Sequence, residues 1–448
     1  MKFLKKHYGK LILLTLLIAL IFGLTYAYNR LPIVTGYAAK DMCSCVFIAE
    51  RDSKNVEENE FQFSLIKYAN TTIDVENKTV TATVWGMGAK TAYYHPQKGC
   101  AILNETEAKD FLTEVNYTNT IVNQELITNS SMPNVDYSAL LKAVANHFID
   151  EDKEKPYGTR AVLVLKDGQI IAEQYADGFT KESKQIGWSM TKSIFSALIG
   201  IAIEQDYISS IDEKSLFQEW KTDDRKNITI KQLLQMNTGL EWTEDYGDIS
   251  EATVMLYDRD DMISYAKNTG IEGEKGKHWE YSSGSSNLLS GLLRQRFKDY
   301  ESYFKFPYEQ LFSKIGAPSF IIETDPKGNF VASSYAWANA RDWAKFGQLY
   351  ANNGVWNGQR ILPEGWTKFT AEEALGSDGE YGAQFWLANK KDYPNSPKDM
   401  YFADGFQGQR IFIIPSENVV IVRLGLTRFK DSEPKYDELI SEVLKAIK

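Results

Sequence analysis

Ser189 and Lys192 stand three residues apart at the head of an apolar run, Ile194 to Ile203. In a helix this offset stacks the lysine ammonium beside the serine hydroxyl on one face. A lysine held there away from water loses part of its preference for the charged form, and the neutral amine is a base that can activate a serine. Ser-x-x-Lys is therefore a nucleophile paired with its activator. The same spacing recurs at Ser64/Lys67, Ser264/Lys267, Ser302/Lys305 and Ser432/Lys435, so spacing alone selects nothing. The flank separates Ser189 from the rest. Phe195, Ala197, Leu198, Ile199, Ile201 and Ala202 leave almost no polar face, which predicts a helix buried on all sides. Ser432 lies two residues before a proline, and the other three pairs sit in amphipathic Tyr-, Phe- or Lys-rich sequence.

A serine nucleophile usually takes a histidine base, and here that arrangement is missing. Gly187-Trp188-Ser189-Met190-Thr191 is not a Gly-x-Ser-x-Gly elbow, and no histidine follows in the order serine, acid, histidine. The base must come from Lys192 and a tyrosine. Tyr281-Ser282-Ser283, on a loop that enters the helical pattern Ser286 to Leu293, is the second element. A phenol near pKa 10 is a poor base in water, but an adjacent Lys⁺ favours the phenolate. The third element is Ala403-Asp404-Gly405-Phe406-Gln407-Gly408, which leads into a strand from Arg410 to Ile414. Glycines beside a strand admit a close neighbour, and an N–H from this edge together with that of Ser189 can form an oxyanion hole.

Taken in order, the three elements resemble the serine β-lactamase and penicillin-binding-protein superfamily. Within it they are most similar to the class C-like esterases and 6-aminohexanoate-dimer hydrolases. Ile228 to Leu240 and Ala340 to Gly358 are similar to two further family segments, so the resemblance spans about residues 135 to 448. It implies an acyl-enzyme mechanism. Ser189 attacks a carbonyl, Lys192 stabilises a deprotonated Tyr281 or shares its proton, and Tyr281 protonates the leaving group and then activates water. The N–H groups of Ser189 and Phe406 hold the oxyanion, and Ser283, Asp404 and Gly405 fall at substrate-binding positions.

Two departures bear on the substrate. Ser283 replaces the asparagine of the family's Tyr-x-Asn motif. Ala403-Asp404-Gly405 stands where relatives carry a cation followed by Ser or Thr and Gly, and Asp404 would repel a substrate carboxylate. A linear amide or short-chain ester with a neutral or cationic end is the expected small-molecule substrate. The alternatives are a membrane-anchored sensor that acylates without turnover and a D,D-peptidase or β-lactamase.

The elements that must position these groups form an α+β fold. A helix from about Tyr137 to Ile149 precedes a hairpin, Ala161 to Leu165 and Gln169 to Tyr175, joined through Lys166-Asp167-Gly168. Strands Arg410 to Ile414 and Val419 to Arg423 and a helix from about Tyr436 to Ala446 close the chain. Hairpins at both ends of a mostly helical insertion predict one antiparallel sheet flanked by helices, and the resemblance implies the β-lactamase/transpeptidase-like architecture over residues 133–448. Residues 31–132 read as a strand-rich leader without catalytic features, followed by a linker at Asn129 to Asn134.

Residues 1–30 read as a signal-anchor. Lys2, Lys5, Lys6 and Lys10 precede an apolar run from Leu11 to Tyr28, which predicts a single span with the catalytic domain on the exported side or, after cleavage, a secreted protein. In an exported chain with three cysteines, Cys100 can pair with Cys43 or Cys45. A net charge of −10 argues against a nucleic-acid surface, which needs clustered Lys and Arg. The 43% apolar fraction excludes a largely disordered chain. His7, His95, His147 and His278 are scattered without ligand spacing, so neither metal nor cofactor is expected.

Overall fold

A computed structural model describes residues 2–428 and 433–447, without the side chains of residues 2–7 and 24. Lys2, Lys5, Lys6, His7 and the rival serine Ser432 therefore fall outside the described side chains. The chain opens with a single helix, α1 (Lys2–Phe47), whose two halves differ in surroundings. From Leu11 to Phe22 its apolar side chains are exposed all round the helix, whereas Ala38, Ala39, Met42 and Cys43 have no exposure at all. A helix apolar on every side and uncovered by protein suits a bilayer or a signal sequence. The boundary expected at residue 30 thus falls inside a continuous helix.

Strands β1 (Ala69–Asp74), β2 (Thr79–Val84), β3 (Met87–His95) and β4 (Gly99–Ile102) form an antiparallel meander against the buried half of α1. Cys43 of α1 is bonded to Cys100 of β4, which resolves the alternatives left by the sequence, and Cys45 is free and buried. The leader is also tied to the main body. Glu323, fully buried, accepts from Lys40 Nζ at 2.7 Å and from the Cys100 N–H at 2.6 Å. Removing Lys40 or Glu323 alone would leave the other charge buried without its counter-charge, at a cost of about 3–5 kcal/mol. The segment expected to be a linker begins in a short parallel bridge from Thr128 to Ile170.

The main sheet has six antiparallel strands. Residues 159–166 and 169–175 form β5 (Thr159–Lys166) and β6 (Gln169–Tyr175), and the C-terminal part supplies β7 (Trp386–Leu387), β8 (Tyr401–Gly405), β9 (Gln409–Ile414) and β10 (Val419–Gly425). Their order is β7-β8-β9-β10-β5-β6, so the two chain ends meet where β10 pairs with β5. Asp167 and Gly168, at φ +51° and +74°, make the tight turn that the Asp-Gly pair predicts.

Period-2 alternation explains why both faces are covered. Along β5, Ala161, Leu163 and Leu165 join the large core that includes α3 (Met190–Glu204) and α5 (Ala340–Ala351). Val162 and Val164 face the opposite way, onto α2 (Tyr137–Asn146) and α6 (Tyr436–Ala446). The remaining helix used below is α4 (Ser283–Gln295), which packs on α3.

Candidate active site

Ser189 caps the N-terminus of α3, and every residue of that helix from Met190 to Ala202 is buried, as the apolar flank predicted. The turn that delivers the serine carries Trp188 in the left-handed region at φ +46°. For so bulky a residue this conformation costs on the order of 1–3 kcal/mol and persists only where the surroundings impose it. Tyr37 stacks on the Trp188 indole at 6.4 Å, Phe406 meets it edge-on at 5.7 Å, and its Nε1–H donates to Gln407 Oε1 at 3.3 Å. Thr191 Oγ1 donates to the Trp188 carbonyl at 2.7 Å. The leader, which shows no catalytic feature in sequence, therefore contacts the residue next to the serine.

Lys192, 1% exposed, donates from Nζ to Ser189 Oγ at 2.9 Å, to Ser283 Oγ at 3.1 Å and to the Ser333 carbonyl at 2.9 Å. None of these acceptors is a carboxylate. Burial therefore lowers its pKa to about 8, against the weaker upward pull of Glu244 and Asp404. A substantial neutral fraction exists near neutral pH, which makes the amine a competent base.

Tyr281 shares a hydrogen bond with Ser189, and its ring lies under Lys192 Nζ, 4.9 Å from the centroid. Burial, reinforced by Glu244 and Asp404, pushes its pKa well above 10. Of the two arrangements expected from the resemblance, a deprotonated Tyr281 or one that shares its proton with Lys192, this direction favours the protonated phenol, because desolvation and two nearby acids outweigh one lysine.

Ser283 also differs from expectation. Its hydroxyl is fully buried and bonded to Lys192 and to Glu244 Oε1, so it orients the lysine instead of facing substrate. Glu244 was not legible as a functional residue. It lies on a loop without periodicity. Its carboxylate collects the Ser283 N–H at 2.9 Å at the start of α4, the Tyr246 hydroxyl at 2.6 Å and the Trp242 indole N–H. An anion at a helix N-terminus with this many donors is held firmly.

The third element lies alongside the nucleophile. A Cβ on Gly405 would stand 2.1 Å from the Gly187 carbonyl, so only glycine lets β8 approach this closely. Gly405 therefore serves packing here, and its neighbour Phe406 follows directly in the turn beside Trp188. Gln407, at φ +62°, completes that turn. Arg423, wholly buried on β10, clamps it by donating to the Gly408 carbonyl at 2.8 Å and to the Tyr157 carbonyl at 2.6 Å.

Asp404 does not stand as an unpaired charge. Arg410, its cross-strand partner in the β8–β9 register, is ion-paired to it and also binds Glu433 at 2.8 Å. The repulsion expected of Asp404 is accordingly reduced. Held by two carboxylates, Arg410 does not replace the family's free cation. A cross-strand neighbour of this kind can be found from sequence only once the hairpin register is known.

The lysines of the rival Ser-x-x-Lys pairs have other partners. Lys267 binds Glu219 at 2.7 Å, Lys435 binds Glu151 at 2.6 Å, Lys305 binds Glu301, and Lys67 lies over Tyr68.

The family model described as Beta-lactamase matches residues 145–444. The 6-aminohexanoate-dimer hydrolase of Paenarthrobacter ureafaciens is 24% identical over 317 residues, 63% of this chain and 77% of that protein. A Bacillus anthracis protein named as a candidate 6-aminohexanoate-dimer hydrolase superposes with a TM-score of 0.58 at 22% identity, covering 76% of this chain and 91% of that one. A penicillin-binding protein homologue from Caulobacter crescentus gives 0.55 at 13% identity, covering 72% and 99%. At these identities the structures share the fold.

Proposed function

The chain belongs to the beta-lactamase family and is a serine hydrolase, and on that premise we propose that Ser189, Lys192 and Tyr281 cleave a linear amide or short-chain ester through an acyl-enzyme. The observation that carries this reading is the Lys192 amine, buried without a carboxylate partner, 2.9 Å from Ser189 Oγ. The neutral amine takes the Ser189 proton as Oγ forms a bond to the substrate carbonyl carbon. The resulting oxyanion lies against the N–H groups of Ser189 and Phe406. Collapse breaks the C–O or C–N bond, and the Tyr281 phenol gives its proton to the departing oxygen or nitrogen and regains one from the Lys192 ammonium. Water then attacks the acyl carbon and yields a proton to the same pair, the acyl C–Oγ bond breaks, and Oγ takes that proton back, releasing the acid and regenerating Ser189 and the neutral amine.

The substrate end near Trp386 is neutral or cationic in this reading. Trp386 packs on Tyr281 at 5.3 Å, and the surface beyond it carries Glu380, Asp392, Asp404, Glu433, Asp437 and Glu438 against Lys391, Arg410 and Lys435, of which Arg410 and Lys435 are already ion-paired. Such a wall favours an amino-terminated leaving group over a carboxylate. The apolar stretch Leu11 to Tyr28 is about 27 Å long as a helix, enough to span most of a bilayer core. In this reading it is retained as an anchor, with the catalytic domain on the exported side.

A fluorophosphonate probe should label the parent on Ser189, and Ser189→Ala should neither label nor hydrolyse p-nitrophenyl esters. Retained hydrolysis by the alanine variant would remove Ser189 from the mechanism. In a panel of p-nitrophenyl esters, aminohexanoate dimers, nitrocefin and D-Ala-D-Ala peptides, turnover is expected on the first two. Preferential turnover of the last two would overturn the substrate reading.

A further inference from the structure

Just past the exposed run of α1, Arg30, Ile33, Val34 and Tyr37 fall on one helix face at the i, i+3, i+4, i+7 spacing. That face lines a cavity of about 70 Å³, open on one side. This is room for about five to seven waters, and so for a single unbranched chain and little more. Phe63, Leu65 and Ile66 of the leader form a second wall, and Tyr246, Ile249 and Phe406 form the wall toward the catalytic centre. Leu65, Ile249 and Phe406 are each about two-fifths exposed, an apolar mouth that water covers at a cost. Arg30 and Asp248, the charged residues of the lining, are ion-paired to each other.

The cavity shares walls with the reacting groups. Trp188, next to the nucleophile, lines it together with Phe406, whose N–H belongs to the oxyanion hole of the proposed mechanism. Tyr246 stacks on the Phe406 ring at 5.5 Å, and its hydroxyl lies 3.3 Å from Ser283 Oγ, in the network of Lys192. Ser189, Lys192 and Tyr281 do not themselves line the cavity, so a chain attached to a carbonyl on Ser189 would have to pass Phe406 to reach it. The opposite flank, beyond Tyr281 and Trp386, is rich in acids. The two sides of the scissile bond therefore meet different chemistry.

We propose that this cavity receives an unbranched, medium-length apolar acyl chain, making the preferred substrate a medium-chain acyl ester or amide in place of the short-chain ester named above. The proposal rests on the acyl-enzyme reading of Ser189. The position of the cavity suits such a substrate, because its first lining residue follows directly on the exposed apolar helix. Arg30 sits over the Tyr26 ring at 3.2 Å, a cation and an aromatic at the depth where a membrane gives way to water. The paired Arg30 and Asp248 offer no net charge to a substrate chain, which disfavours a charged chain end here.

The test uses the full chain in phosphatidylcholine nanodiscs and reads the ratio of kcat/KM for p-nitrophenyl octanoate over butanoate. Burial contributes about fourfold per methylene, so four more methylenes predict a ratio on the order of 100 in the parent. Val34→Trp, which fills the cavity from α1, should bring the ratio toward one. Ile249→Trp fills it from the half-exposed loop and gives the same readout if the helix variant fails to fold. A parent ratio near one, or a ratio unchanged in a folded variant of either kind, would overturn the proposal. Hydrolysis of both esters that survives Ser189→Ala would instead overturn the acyl-enzyme reading beneath it, and this inference with it.

Discussion

Ser189/Lys192 and Ser302/Lys305 share a spacing and a place in the first turn of a helix, and they have opposite chemistry. Ser302 is exposed, its hydroxyl donates to Asp299 at 3.0 Å, and Lys305 is tied to Glu301 one turn back. The Lys305–Glu301 pair is an i, i+4 contact at the helix surface, worth at most a few tenths of a kcal/mol. Lys192 has the same neighbour at the same offset but no carboxylate contact and almost no water, and it is held by two hydroxyls and a carbonyl. The difference teaches that the spacing supplies the contact, while the absence of a compensating anion supplies the reactivity.

The largest test of this contrast is Lys192→Met. It should lower kcat/KM by about 10²–10⁴-fold, the range for losing a general base. The same change should raise the melting temperature, since it removes a cation whose lowered pKa reports that burial disfavours its charge. A parallel fall in stability would show Lys192 to be structural. Next in size is the pH profile. With Lys192 at about 8, kcat/KM for a neutral ester should climb about tenfold per pH unit below that value and level off above it, because the reactive form is the neutral amine. A flat profile between pH 6 and 8 would contradict the assignment.

Glu244→Gln should have a smaller effect. Glu244 raises the Lys192 pKa, so its removal should move the midpoint of that profile downward, and an upward shift would mean that Glu244 acts through packing alone. Lys305→Met closes the series, with kcat/KM and pH profile unchanged and stability altered by no more than about 0.5 kcal/mol. A loss of activity there would dissolve the distinction between the two pairs.

The two halves of α1 carry a related lesson. The run Leu11 to Tyr28 was legible as a membrane or signal segment because nothing in the sequence offers it a polar face. The continuation to Phe47 as one helix, sealed into the core by Cys43–Cys100 and by Lys40–Glu323, was not legible. The partners of those contacts lie 57 and 283 residues away, and no local pattern connects them.

By itself the sequence determined the strands, the flanking helices and the buried Ser-x-x-Lys helix, because hydrophobic periods of 2 and 3.6 and an Asp-Gly turn are local properties of the chain. Tyr281 and the Gly405 segment were found by their order and by resemblance. Tertiary structure alone decided the protonation of that site. Whether Lys192 titrates near 8 and Tyr281 keeps its proton depends on which charges and how much water surround each group. Glu244, Asp404 and Arg410 come to the site from one distant loop and a strand pair, and their influence falls off with spatial distance, which sequence separation does not encode.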